Sequence, residues 1–337
     1  MRNNILNTLI CPECRAGGLL LQNAVRDRLE IADAQLVCAS CRAAYPVAGG
    51  IIDFLRHPSA TVNSEVAGWR KFHNPQRNPE QFSDQWLLKL PRIDASVSPD
   101  AGSIASWNNH ADNFDLALSQ LGLKGGEEIL ELGAGRCWAS AAFARLGCAV
   151  TALDVVRDKY IGLASAEAYL SPTLFFERVL ADMECLPFSD RCFDLVFSTA
   201  TMHHAPDVEA VCAEASRVLK PGGRLVAIND TVAGWFDSAQ DLEERELGIN
   251  EHAYPITRYQ RAMTKAGLSP KLYLPATWRK QLESGRHGMR HPLKIAAFRF
   301  CSMVWRIQSC RKSLEYILVN WAQRAWGVGL HAIAVKR

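Results

Sequence analysis

Four cysteines near the start of the chain are set out as two knuckles, CPEC at Cys11 and Cys14 and CASC at Cys38 and Cys41. Two such pairs separated by a hairpin-length segment present four thiolates tetrahedrally to one Zn2+, and with every position filled by protein sulfur no place is left for a reactive water. The expected role is structural: metal-derived folding energy for a segment too short to build a core of its own. A second set of reactive types lies further along. ILELGAGRCWAS carries Glu131, Gly133, Ala134 and Gly135, ALDV carries Asp154 and Val155, and LADME carries Asp182 and Met183. FSTATMHH brings Ser198, His203 and His204, and GINEHAYPITRY brings Glu251, His252 and Tyr254. Glycines let backbone approach a ligand where a Cβ would obstruct it. A carboxylate placed as Asp154 is, after a second strand, accepts the hydroxyls of a ribose. Asp182 with Met183 suits an adenine amino group and the face of the base. A histidine takes a proton from a hydroxyl or activated carbon near neutral pH, and His204, His203 and His252 are the candidates in that order.

Residues so far apart need a scaffold that brings strand ends together. From about residue 111, EEILEL, CAVTALDV, TLFFERVLAD, CFDLVFSTA and GGRLVAIND read as strands, separated by the alanine-rich ASAAFARLG, a helix around Lys159 to Tyr169, and the helical VEAVCAEASRVLK. Such alternation implies a parallel sheet covered on both faces, with its ligand at the carboxyl ends of the strands. A dinucleotide fingerprint would need glycine where Trp138 stands, so NAD is disfavoured.

The combination of LELGAGRC, ALDV, ADMECLPFSDRCFDLVFS, MHHAPDVEAVCAEASRVLKPGGRLV and a closing GVGLHAIAVKR resembles the class I S-adenosylmethionine-dependent methyltransferases, in their ubiquinone/menaquinone-methyltransferase-like branch. The resemblance covers about 110 to 270 and 327 to 337. It implies a Rossmann-like seven-stranded sheet whose last strand is antiparallel. Glu131, Gly133, Ala134 and Gly135 would then hold the methionine end of the cofactor, Asp154 and Val155 the ribose, and Asp182 and Met183 the adenine, with Ser198 also at the site. The glycine often found two positions after Gly135 is Cys137 here. The Asn/Asp-Pro-Pro-Tyr/Phe loop of many N-methyltransferases is replaced by STATMHHAPD, which points toward a hydroxyl or carbon acceptor. LICPEC through CASCRAAYPVAGGIIDFL resembles the zinc-ribbon family that activates tRNA and protein methyltransferases as a separate subunit, here fused in cis.

The organisation expected is a zinc ribbon over 1–57, a linker or partial cap over 58–110, and the methyltransferase domain over 111–337, with a basic helical insert at 279–326 before the last strand. In the cap segment, Trp69, Phe72, Phe82 and Trp86 either line a pocket or anchor the segment. The insert holds ten Lys or Arg against Glu283 and Glu315, a local charge of +8 within a chain of net charge +3. Its interleaved aromatics suit phosphate backbones with stacked bases, an anionic membrane surface, or plain packing of two helices on the domain. Length and a 48% hydrophobic composition allow one good core plus a module and exclude disorder as the default. No uncharged apolar run of about 20 residues appears, so no membrane-spanning segment is expected and a cytoplasmic, at most membrane-peripheral, protein is. Three functions follow: methyl transfer to a small molecule or a glycan or lipid-linked acceptor, RNA methylation gripped by ribbon and insert, or a partner-regulating protein that binds the cofactor without turnover.

Overall fold

Alternation of side chains along LLLQNAVR and IADAQLVC builds an antiparallel pair, β1 (Leu19–Arg26) and β2 (Ile31–Cys38), which β3 (Ala44–Ala48) and β4 (Ile51–Asp53) extend, with Leu36 opposite Tyr45 and Val47 opposite Ile52. The structure is a computed structural model describing residues 1–27, 29–234, 243–286, 292–326 and 329–337.

The stretch expected as a linker is largely helical: α1 (Ala60–Phe72), α2 (Asp84–Lys89) and α3 (Ala101–Leu121), the last running through the boundary expected at 110. Capping explains where these helices start. Ser59 Oγ accepts from Val62 N–H at 3.1 Å, Ser83 Oγ from Trp86 N–H at 3.2 Å, and Asp100 from Gly102 and Ser103 N–H at 3.2 and 2.7 Å. Residues of this stretch that break regular structure, among them Ser59, Ser83 and Asp100, serve as caps between helices.

Beyond it come β5 (Glu128–Leu132), α4 (Trp138–Arg145), β6 (Ala149–Asp154), β7 (Glu177–Leu180), β8 (Phe193–Thr199), α5 (Val208–Val218) and β9 (Leu219–Asp230). A two-residue parallel bridge of β10 (Val232–Ala233) and β11 (Tyr254–Pro255) brackets the short α6 (Glu243–Glu246). Then follow α7 (Ile256–Lys265), β12 (Leu268–Leu272), the helices α8 (Ala276–Ser284), α9 (Pro292–Trp305) and α10 (Arg311–Trp326), and β13 (Leu330–Lys336). The helix expected around Lys159 to Tyr169 is only a 3-10 turn, Leu163–Ala168. Gly162 is the reason: a Cβ there would collide with Val156, whose carbonyl accepts Leu163 N–H at 3.0 Å and interrupts the run.

Strands β7-β6-β5-β8-β9-β13-β12 form the expected seven-stranded sheet, with β13 antiparallel to both neighbours. The ribbon does not stand apart from it. β4 pairs parallel with β7, Ile52 opposite Val179, so all four ribbon strands continue the sheet to eleven. One apolar layer accordingly joins Ile5, Leu9, Leu36 and Tyr45 of the ribbon to Leu186, Phe188 and Val211. On the opposite layer Phe114, Phe143 and Phe197 meet edge to face at 5.1 to 5.6 Å, which seats α3 and α4 on the strands that carry the site.

Candidate functional site

The two knuckles come together. The four Sγ atoms of Cys11, Cys14, Cys38 and Cys41 lie within 4.8 Å of one another, with Cys11–Cys41 at 3.5 Å and Cys14–Cys38 at 3.6 Å. A tetrahedron of Zn–S bonds near 2.3 Å has edges of about 3.8 Å, so the donor set fits one zinc ion with all four positions closed. Tyr45, buried beneath, reaches Cys11 Sγ at 3.0 Å and fixes it from outside the donor set.

A cavity of about 630 Å3 opens at the carboxyl ends of the strands. Gly133, Ala134 and Gly135 line it from the turn after β5, Asp154 and Val155 from the end of β6, Asp182 and Met183 from just after β7. Gly133 has φ +62°, and a Cβ on it would run into the Thr201 side chain. Gly135 has φ +47° and nothing within 4 Å of where its Cβ would be, which leaves a cradle of bare backbone. Asp154 sits across that cradle: its carboxylate accepts Gly135 N–H and Val156 N–H, both at 2.7 Å. Burial pushes Asp154 up to about 6 against the pull of those amides. Its remaining lone pairs, the glycine cradle and Met183 fit the ribose, backbone-hugging chain and base of S-adenosylmethionine.

Two expected cofactor residues stand back from the cavity. Glu131 is buried one strand position below it, with Oε2 accepting from Ser140 Oγ and Oε1 without a partner among the described residues; burial pushes it up to about 8. Ser198 is buried within β8, and Thr199, Ala200 and Thr201 line the cavity in its place, because β8 ends at Thr199 and the chain turning beyond it forms the rim. Cys137 takes the positive φ of +61° that its position demands, yet its thiol turns inward toward Leu163 O and leaves the cradle open. Trp138 begins α4 and packs edge-on against Phe114 at 5.0 Å. Arg136 escaped the sequence reading. It is buried in the cavity wall, donates to Tyr160 O at 2.6 Å and Gln81 Oε1 at 2.8 Å, and meets no carboxylate among the described residues. Burial lowers it to about 10, so it stays a cation facing the cavity.

The other end of the cavity is walled by α1, by the turn after β8 and by the segment before β11. Glu65, Trp69 and Phe72 come from α1 and His73 from the residue that ends it, His204 and Ala205 from the turn, and Asn250 from the segment. Thus Trp69 and Phe72 line the pocket. Trp86, fully buried beneath the Arg136 guanidinium, anchors the segment, as does Phe82 against Tyr160. His204 Nδ1 donates to Asn250 O at 3.0 Å and stands 3.4 Å from Glu65 Oε1. Burial and the adjacent His203 cation lower His204 to about 3, so it is neutral with Nε2 unprotonated.

His203 differs. Its Nδ1 donates to Asp230 at 2.9 Å and its Nε2 faces Glu251 at 3.4 Å; burial alone would lower it, but the two carboxylates prevail and raise it to about 9. In this arrangement His203 is a doubly bonded imidazolium outside the cavity lining, with no lone pair turned to an acceptor proton. Glu251 supports His203 rather than His252. His252 is stacked on Tyr254 outside the cavity lining, and the Tyr254 hydroxyl donates to Ala205 O at 2.8 Å as a structural tie. A carboxyl in the cavity wall that spacing did not reveal is Glu65. It is buried, takes Asn250 N–H on Oε2 at 2.6 Å and Trp69 Nε1–H on Oε1 at 2.8 Å, and is pushed by burial up to about 7.

These features define an α/β methyltransferase fold with a zinc-ribbon extension, and the comparisons agree. Residues 130–227 match the methyltransferase domain family and residues 3–50 the Trm112p-like protein family. A 27-O-demethylrifamycin SV methyltransferase of Amycolatopsis mediterranei is 28% identical over 223 residues, 61% of this chain and 80% of that protein. A demethylmenaquinone methyltransferase of Tropheryma whipplei is 33% identical over 110 residues, 33% of this chain and 44% of that protein. Among solved structures, a geranyl diphosphate methyltransferase in complex with GPP and sinefungin shares the fold at TM-score 0.52 and 17% identity, covering 83% of this chain and all of that one. The chain is an S-adenosylmethionine-dependent methyltransferase carrying a Trm112p-like segment ahead of its catalytic domain.

Proposed function

We propose that the chain methylates a hydroxyl or an acidic carbon of a small, largely apolar acceptor, with Glu65 as the proton acceptor and His204 as the group that orients the nucleophile. The observation that carries this reading is the Glu65 carboxyl, buried in the acceptor-side wall with its pKa near 7. A general base works best when its pKa lies close to the working pH, whereas His204, held to about 3 beside the His203 cation, is a weak proton acceptor and a sound hydrogen-bond acceptor through Nε2.

Bound S-adenosylmethionine supplies an electrophilic methyl carbon on a sulfonium. The chain's own residues do the rest. Gly133 and Gly135 admit the methionyl chain against bare backbone, the Arg136 cation meets its carboxylate, Asp154 takes the ribose hydroxyls, and Asp182 with Met183 brackets the adenine. Trp69, Phe72, Trp107 and Trp138 line the cavity with aromatic surface, which favours an apolar acceptor and excludes water around the transfer. The acceptor's proton passes to Glu65, and His203 stays a fixed cation holding the turn through Asp230 and Glu251.

Transfer of labelled methyl to an extract-derived acceptor pool tests the assignment. Wild-type rate rises with pH to a plateau above about 7, and Glu65→Gln lowers kcat by about 100-fold or more and flattens that rise, while S-adenosylhomocysteine binding is retained. Full turnover by Glu65→Gln would remove Glu65 from the chemistry.

A further inference from the structure

Helices α9 and α10 are apolar on two sides. Their inner stripes, Phe298 and Trp305 on α9 with Leu314, Leu318 and Val319 on α10, close a small core with Leu274 and Leu282. Their outer stripes are apolar as well. Phe300 (61% exposed), Met303 (59%) and Ile307 recur at helical spacing along and just beyond α9, and Tyr316 (72%) and Ile317 continue the surface on α10. Of the ten large hydrophobic side chains exposed among the described residues, five lie within these 18 positions. A helix apolar all round calls for a second apolar environment.

Charge selects that environment. Between 292 and 326 the sequence has six basic residues and one acid, Glu315, which is taken up by Arg279 at 2.5 Å. Exposed Arg299 and Arg306 flank the apolar stripe of α9, and exposed Arg311 and Lys312 sit at the start of α10, next to the turn at Gln308–Cys310. The hairpin tip thus mixes cations with aliphatic and aromatic surface. No helix among the described residues is long and apolar enough to cross a membrane.

From this juxtaposition we propose that the α9–α10 hairpin docks the enzyme on the surface of an anionic lipid bilayer, with Met303, Ile307 and Ile317 entering the acyl boundary and the surrounding Arg and Lys meeting headgroup phosphates. Single-stranded nucleic acid is the poorer fit because three of the five exposed apolar side chains, Met303, Ile307 and Ile317, are aliphatic and could not stack on bases, whereas all five, Phe300 and Tyr316 included, suit an acyl boundary. A second copy of the chain would bring the same cations face to face. The hairpin is also connected to the site: α8, on which it packs, is tied to α3 through Ala276 N–H to Asn113 Oδ1 at 2.8 Å and through Thr277 to Asn109, and α3 supplies Ser106, Trp107 and His110 to the cavity wall. The inference deepens the apolar-acceptor reading by assigning a membrane-resident or membrane-delivered acceptor.

Sedimentation of the full-length, zinc-replete protein with lipid vesicles tests it. Binding is expected to phosphatidylcholine vesicles containing about 30% phosphatidylglycerol, weak or absent with phosphatidylcholine alone, and reduced by high salt. The double variants Met303→Asp/Ile307→Asp and Arg299→Glu/Lys312→Glu each lower binding by about tenfold or more, with S-adenosylhomocysteine binding unchanged as the check on folding. No binding to anionic vesicles, binding indifferent to both variants, preferential retention on single-stranded RNA over vesicles, or a dimer abolished by Met303→Asp/Ile307→Asp would each overturn the proposal. None of these readouts depends on Glu65, so the docking can fail while the proposed chemistry stands, and the reverse.

Discussion

The two ends of the cavity are built on different principles. The cofactor end is made by consecutive strand ends of one parallel sheet: Gly133 to Gly135 after β5, Asp154 after β6, Asp182 after β7, with backbone amides and one carboxylate locked together through Gly135 and Val156. The acceptor end is assembled by side chains from α1, from the turn after β8 and from the stretch around Asn250, segments joined by hydrogen bonds such as Asn250 N–H to Glu65 and His204 Nδ1 to Asn250 O and by the edge-on contact of Trp69 with His204. A sheet edge resists substitution because it is held from both flanks, whereas a wall of loop and helix side chains can be rewritten one residue at a time.

Experiments that cut at one end alone sharpen this contrast. The largest effect is expected for Asp154→Ala, which removes both the ribose acceptor and the clamp on the glycine turn; calorimetry should show S-adenosylhomocysteine affinity falling by about 100-fold. Arg136→Gln should lower that affinity by about tenfold yet leave 5′-methylthioadenosine, which lacks the carboxylate, bound as before, and equal losses for both ligands would place the guanidinium elsewhere. At the acceptor end, Trp69→Ala should raise the acceptor KM several-fold with cofactor affinity unmoved. His203 bears on stability. Its raised pKa means the imidazolium form stabilises the fold fully below about 6.5, and that contribution, on the order of 3 kcal/mol, is lost as pH climbs through about 9. Melting followed from pH 6 to 10 should show the decline in the wild type and a flatter curve in His203→Gln.

What could be read from residues alone follows the same division. The succession of strands along the chain, the glycine turn, the placing of Asp154 and Asp182 at strand ends and the gathering of the four cysteines were legible because a parallel sheet dictates where strand ends meet and because thiol pairs have a fixed spacing. Glu65 was not legible: it lies in a polar-looking helix, SEVAGW, whose only outward sign is Trp69 four residues on, and its partners Asn250 and His204 are more than a hundred residues away. The pair His203 and His204 looked interchangeable in sequence. The structure separates them, since a turn points adjacent side chains in different directions, one between two carboxylates and one into the cavity. His252 stood beside Glu251 in sequence, yet Glu251 reaches His203. The ribbon's merger with the main sheet also lay beyond reach, for nothing in GGIIDFL specifies β7 as its neighbour.

That merger has a bearing on how the polypeptide is made. Strand β4 leaves the ribosome well before β7, so a zinc-closed ribbon can be complete while its future neighbour is still unsynthesised, leaving a finished edge on which the methyltransferase strands then lay down. The flank of β7, which if open would be a natural place for strands of different molecules to stick together, is covered by β4. Metal supply during translation would then influence how much of the catalytic unit reaches its native state, even though the cysteines never touch the reaction.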